Sequence, residues 1–378
     1  MLSSLEEIIS FLFTDAVDAL DIPLALRDLA VARYEEVGNW LGRTGGGDWL
    51  IYPQGSFRIG TVVHLEGPGH EYDIDMVFLW SAAPDDLLPA ALKQAVGDML
   101  LAYLSDEAGG SAPGTLTECV SSRRCWTLRY PGDGFHMDVL PAAPGTASPA
   151  IRLTDEVDLA WHYSNPIGYS RWFRGRSVEM RRLLAKAARE ANVAEVPDWT
   201  VRTTLQRLVQ VLKWHCANHF GGHSDDRPPS ILITTLAAQA YTGEENLFAA
   251  LLQVMRGMGD LVECRAGRWW VANLAEEKEN FADKWNDYPQ RRTAFYSWLA
   301  SFTKLIDGIA QMHGQGLHRV VGRLEEGFGA RGLIRKAAGH LGEGSLELRE
   351  SGGLAMTSGG LLIKGGPDPV RSHTFYGN

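Results

Sequence analysis

Apolar positions recur along this chain with two periods, and the balance between them shifts near its middle. Residues 3 to 20 carry a helical spacing. A second helix is predicted from Pro23, with Leu26, Ala30, Tyr34, Val37 and Leu41 on one face. The glycine-rich run from Gly42 to Asp48 ends it. A short apolar segment, Trp49 to Tyr52, leads into a Gly-Ser loop and then into a strand that ends near Trp80. The stretch from Ala83 to Leu104 reads as a helix on Leu88, Ala91, Leu92, Ala95, Met99 and Tyr103. The next pattern, Arg123 to Ala142, reads as a hairpin around Pro131-Gly132-Asp133-Gly134. After Pro166 the helical period dominates: Leu205, Leu208, Val209, Leu212 and Cys216 form one stripe, and 230–241 and 292–312 form others. The tail from Gly352 is glycine-rich, weakly periodic and expected to be irregular. No internal repeat is visible.

The chain has 378 residues, 45% of them hydrophobic, enough for one large domain or two lobes with a sizeable core. Its formal charge of -10 argues against a protein that coats nucleic acid, because such binding rests on a basic surface. A local basic pocket for a phosphorylated small molecule is compatible with it. Cys119, Cys125, Cys216 and Cys264 show neither zinc spacing nor a disulfide framework and read as reduced thiols. His215 and Cys216 are adjacent, and on a helix adjacent side chains diverge, so they make a poor catalytic pair. The N-terminus lacks the basic region of a signal peptide, and no apolar run reaches the ~18 residues of a membrane span. A soluble cytoplasmic protein is expected.

The chemistry concentrates between Tyr52 and Asp138. Asp73 and Asp75 are two residues apart in a predicted strand, so both carboxylates share a face while Ile74 and Met76 turn to the core. Side-by-side carboxylates repel; either one is protonated or a divalent cation holds them. Oxygen donors with substrate phosphates are the usual Mg²⁺ or Mn²⁺ arrangement. Asp138, flanked by Met137, Val139 and Leu140 in the second arm of the hairpin, is the candidate third carboxylate. Gly55-Ser56 stands where a loop turns into a helix, a setting in which backbone N–H groups and a hydroxyl hold phosphate. Each piece alone also fits a common turn, an edge acid or a capping residue. Together, in this order, they fit phosphoryl or nucleotidyl transfer. His64, His70 and His136 lie near the acids without ligand spacing and read as solvated or supporting groups. The twelve tryptophans read as helix-core residues.

Gly55-Ser56, Asp73-x-Asp75 and Asp138 resemble the polymerase-β-type nucleotidyltransferase signature. "QGSFRIGT", "EYDIDMVF", "HMDVLPA", "WHYSNPIGYSRWF", "LQRLVQVLK", "RPPSILITTLAAQAY", "ENFADKW" and the ending "HTFYGN" are similar to the bacterial cGAS/DncV-like nucleotidyltransferases, the CD-NTases of CBASS anti-phage defence. The likeness runs from about residue 50 to the end.

The resemblance implies an α+β, bilobal, polymerase-β-like fold. Residues 1–164 would form the nucleotidyltransferase core lobe with an N-terminal spine helix (about 23–42), 165–351 a helical lobe closing the cleft, and 352–378 a Gly-rich tail. It implies a synthase that joins NTPs, purines favoured, into a cyclic di- or trinucleotide messenger with release of pyrophosphate. Asp73, Asp75 and Asp138 would bind two Mg²⁺, with Mn²⁺ able to substitute, Asp138 being closest to the attacking hydroxyl. Gln54, Gly55, Ser56, Lys213 and Ser230 would hold the nucleotide. Read from the residues alone, Lys213 sits at the edge of the buried stripe, and Ser230, after two prolines, is a natural N-cap. Asn165-Pro166 is a turn that either reaches a base or ribose or simply joins the lobes. The resemblance also implies ATP or GTP as substrates, an effector reached through the product, and an E1/E2-like ligase partner that captures the tail. Animal cyclic GMP-AMP synthase carries a zinc insert that this chain lacks, so no nucleic-acid activator is expected. The rival outcomes are linear oligonucleotide synthesis, nucleotidyl transfer to a protein or tRNA, and an inactive nucleotide-binding module.

Overall fold

A computed structural model of the chain describes residues 4–46, 48–64, 71–110, 116–177, 202–221, 225–329, 332–350, 354–356 and 362–364. Helix α1 (Leu5–Asp18) opens with a capping box: Glu7 N–H donates to Ser4 Oγ and Ser4 N–H to Glu7 Oε2, each at 3.1 Å. Helix α2 (Leu24–Thr44) is the expected second helix, and Pro23 stands before it.

Strands β1 (Trp49–Gln54), β2 (Tyr72–Trp80), β3 (Glu118–Ser121), β4 (Trp126–Tyr130), β5 (Phe135–Pro144), β6 (Ile151–Thr154) and β7 (Trp161–Ser164) form one mixed seven-stranded sheet. Its order is β1-β2-β5-β4-β3, with β6 on β5 and β7 on β6. β2 and β5 pair in parallel; the other pairs are antiparallel. The short helix α3 (Gly55–Ile59) follows β1 directly, and α4 (Pro89–Gly110) returns across the sheet. One sheet face buries Ile74, Met76, Phe78, Met137 and Val139 against α2 and α4. The other face carries a smaller cluster of Val77, Leu140, Ala142, Ile151 and Leu153 and leaves room for the acids.

Beyond β7 the chain is mainly helical: α5 (Pro166–Arg176), α6 (Thr204–Phe220), α7 (Ser230–Ala240), α8 (Leu247–Gly257), α9 (Pro289–Ala310), α10 (Leu317–Phe328) and α11 (Leu333–Glu350). These share one hydrophobic cluster, and α1 belongs to it, with Phe13 against Phe328 at 5.2 Å between ring centroids. Two short antiparallel pairs, β8 (Glu263–Arg265) with β9 (Arg268–Trp270) and β10 (Ala272–Asn273) with β11 (Glu276–Asn280), interrupt the helices. The helical period had hidden them.

In the tail, expected to be irregular, β12 (Leu354–Met356) and β13 (Leu362–Lys364) pair antiparallel, each drawing on a short apolar run between the glycines. The ending "HTFYGN" and His70 lie outside the described residues. No described helix is long and apolar enough to cross a membrane.

Helix α4 meets the sheet with almost no gap at Gly97. A Cβ there would overlap the Trp126 indole, whose Nε1–H donates to Lys93 O at 2.9 Å. Gly97→Ala should therefore destabilise the protein by about 1–3 kcal/mol through overpacking, despite alanine's better helix propensity. Urea unfolding would measure it, and an equal or higher midpoint would show that the helix can move off the sheet.

Candidate active site

The pleat of β2 sorts its side chains as the sequence required. Ile74 and Met76 are fully buried on one face; Asp73 is exposed and Asp75 partly buried on the other. The parallel pairing of β2 with β5 sets Asp75 opposite Asp138 and Asp73 opposite His136. Adjacent strands lie about 4.8 Å apart, so the third carboxylate reaches the first two from a strand some sixty residues away in sequence. Burial first, then the neighbouring Asp73 and Asp138 carboxylates, push Asp75 up to about 7.

Three supporting side chains hold these acids. Thr127 Oγ1 donates to Asp138 Oδ1 at 2.6 Å, from the position opposite Asp138 on β4. His136 places Nε2 3.0 Å from Asp73 Oδ1 and Nδ1 3.3 Å from Glu71 Oε2. Its hydrogen bond to Asp73 raises it to about 9, so it stands as an imidazolium against that carboxylate. Cys125 lies beside the same group; burial and then Asp138 push its thiol up to about 12, so it stays protonated.

Gln54 pairs in register with Asp75 and serves as the N-cap residue of α3 without a side-chain capping bond. Gly55 follows with φ +62°, and a Cβ on it would overlap the Asp75 carboxylate. Only glycine combines that backbone with that approach. Ser56, half-buried, sends its carbonyl to Thr61 N–H at 3.0 Å, which closes the turn behind the loop.

Lys213 comes from α6. Its Nζ donates to Thr61 O at 3.0 Å and to Thr61 Oγ1 at 3.3 Å. Burial lowers it to about 8, while Asp73 and Asp75 act in the opposite direction, which puts the ammonium within the field of the acids. Ser230 is the first residue of α7, and Pro229 before it occupies the N-cap position, so the N-cap reading is corrected. The serine is exposed, and its carbonyl accepts from Thr234 Oγ1 at 2.8 Å. Asn165 is a true N-cap: Oδ1 accepts from Gly168 N–H at 2.8 Å, and Nδ2 donates to Ala275 O at 3.0 Å. Both ends of its amide are engaged, one capping α5 and the other holding the β10–β11 turn.

A second group of metal-ligating types, Asp155, Asp158 and His162, has its ligand atoms within 4.8 Å of one another. Asp155 is buried and accepts from Arg123 Nε at 2.7 Å and Arg124 Nε at 2.9 Å. Guanidinium groups already take the lone pairs, so this is an ion-pair network. His215, on the far side of α6, accepts from Trp298 Nε1–H at 3.0 Å and stacks on Phe302 at 3.7 Å between ring centroids, a core histidine unconnected to Cys216.

No family model matches the chain. Among curated proteins it is 26% identical over 356 residues to a c-di-GMP synthase of Roseivirga ehrenbergii, covering 91% of each chain. It is 25% identical to the cyclic dinucleotide synthase CdnG of Bradyrhizobium diazoefficiens, over 96% of this chain and 92% of the relative. The solved structure of the B. diazoefficiens CD-NTase CdnG in complex with GTP superposes with a TM-score of 0.68 at 22% identity, over 89% of this chain and 98% of that one. The α+β fold, a mixed sheet with helices gathered beyond it, is that of these structures. With near-full-length likeness in both sequence and fold, the chain is similar to the cyclic dinucleotide synthases and to the CD-NTase structure among these relatives.

Proposed function

We propose that this chain joins two purine nucleoside triphosphates, GTP among them, into a cyclic dinucleotide with release of two pyrophosphates, as a messenger in anti-phage defence. The observation that carries this reading is the convergence of Asp73, Asp75 and Asp138 on two parallel strands, with the Gly55 backbone pressed against Asp75. The names of the two curated relatives and the GTP in the B. diazoefficiens structure support the same substrate class.

The donor set fits hard divalent cations. It is all oxygen, and it holds a carboxylate raised to about 7 by burial and then by its two acidic neighbours. Asp73, Asp75 and Asp138 would hold two Mg²⁺, with Mn²⁺ able to substitute. Bound there, the ions supply charge neutralisation for the polyphosphate and acidity to the attacking hydroxyl.

The chain's own residues do the positioning. Gly55 and Ser56, with Gln54, line the donor triphosphate, and Lys213 gives it an ammonium now shared with Thr61. Ser230 joins them on the strength of the family resemblance. Thr127 fixes one oxygen of Asp138 and leaves the other toward the attacking hydroxyl. His136 orients Asp73 and offsets part of its charge. The lobes would divide as 1–164 and 165–351, with 352–378 as a tail for a ligase-like partner. The reading puts the enzyme in the cytoplasm with its triphosphates and reaches an effector through the product.

Purified protein with Mg²⁺ and each NTP, alone and in pairs, should yield a phosphatase-resistant product whose mass lacks terminal phosphates. Linear products alone would redirect the assignment to oligonucleotide synthesis, and nucleotide binding without turnover to an inactive module. Asp138→Asn should abolish the product.

Gly55→Ala, whose new methyl must displace Asp75, should cut turnover by about 10²-fold, the scale of an ångström-level misplacement. Its thermal midpoint should fall only a few degrees. Turnover within threefold of wild type would show that Asp75 does not depend on this contact.

A further inference from the structure

Four consecutive carbonyls behind the Gly-Ser loop are each held by a side chain from α6 or from Arg202 just before it. Ile59 O accepts from Gln206 Nε2 at 2.9 Å, Gly60 O from Arg202 Nη1 at 2.9 Å, Thr61 O from Lys213 Nζ at 3.0 Å, and Val62 O from Gln210 Nε2 at 2.8 Å. Gln206, Gln210 and Lys213 recur at four and three residues, one face of a helix. Gly60 has φ +69°, and a Cβ on it would overlap both the Arg202 guanidinium and the Gln206 amide, so the segment lies flush on α6.

Gln210 is the informative member. It is fully buried, its Nε2 donates both to Val62 O and to Asp21 Oδ1 at 2.6 Å, and its Oε1 is buried without a partner. A buried acceptor left unpaired is unfavourable, and leucine of similar size would avoid it. The glutamine is therefore present for its two donors. Asp21, in the link between α1 and α2, also takes Arg202 Nε at 3.2 Å, and Leu20 O accepts from His64 N–H at 2.7 Å. Residues 59–64 are thus clamped between α6 and the α1–α2 link. Thr61 N–H in turn holds Ser56 O.

We infer that Gln210, supported by Arg202 and Gln206, is a positioning residue for the donor nucleotide: it acts on the triphosphate through residues 59–62 and the Gly55-Ser56 loop. The inference rests on the reading of that loop as the triphosphate grip. Beside Lys213, which reaches the triphosphate directly, Gln210 would link the second lobe to the phosphate site without itself touching the ligand.

The test is a double-mutant cycle on GTP binding in the presence of Mg²⁺, read by calorimetry, with kcat and KM alongside. Wild type should bind, and Ser56→Ala should bind more weakly; absence of GTP binding by wild type would overturn the underlying reading itself. Gln210→Leu should raise Kd and KM about tenfold while kcat changes less than threefold. Combined with Ser56→Ala, its effect should shrink, because both changes act on one loop. A Gln210→Leu protein that melts lower but binds GTP as wild type does would reduce the glutamine to packing and overturn the inference. So would losses that simply multiply in the double variant. Should Gln210→Leu not fold, Gly60→Ala disturbs the same seam from the loop side and carries the same expectation and the same refutation.

Discussion

The repulsion among Asp73, Asp75 and Asp138 is the constraint around which the first lobe is organised. The parallel pairing of β2 with β5 sets Asp75 against Asp138, and burial, then Asp73 and Asp138, raise Asp75 to about 7. A protein selected for stability alone would place an apolar residue there. This one surrounds the cluster with groups that fix it: Thr127 on Asp138, His136 on Asp73, and the Gly55 backbone against Asp75. The cost of holding like charges together is offset when cations and polyphosphate arrive.

The second lobe meets this site through α6. Its apolar face is built into the helical cluster, while its polar face supplies Lys213 and the donors that hold residues 59–62. Helix α1, although first in the chain, packs in that same cluster, where His340 of α11 reaches Asp15 at 3.0 Å. Helix α2 then crosses to the sheet. The link between them carries Asp21, so a single acidic residue ties the α1–α2 link to α6 and, through α6, to the segment behind the phosphate loop.

Much of this was legible in the sequence because the relevant signals are local. The i, i+2 acids in an apolar run fix a shared face, and the Pro131–Gly134 turn fixes the hairpin register. That register alone pairs residue 127 with 138, so Thr127 could have been read as the partner of Asp138. The β8–β9 hairpin was equally accessible at its two-residue Ala266-Gly267 turn, but tryptophans and charges gave it no alternation. The Gln206–Gln210–Lys213 face was not legible. Its partners are backbone carbonyls some 150 residues away, and backbone acceptors leave no mark in a sequence. Ser230 reads as a cap from its place after two prolines, yet Pro229 takes the N-cap position and the helix begins at Ser230 itself.

The central claim is that the three carboxylates are held together for divalent cations. Thermal unfolding of wild type and Asp75→Asn, each with and without Mg²⁺ and GTP, tests it most directly. Removing the Asp75 charge should raise the midpoint of the metal-free protein by relieving repulsion, and should abolish the further rise that Mg²⁺ with GTP gives wild type by binding the folded state. A metal-free variant less stable than wild type, with the Mg²⁺-GTP rise intact, would contradict the account.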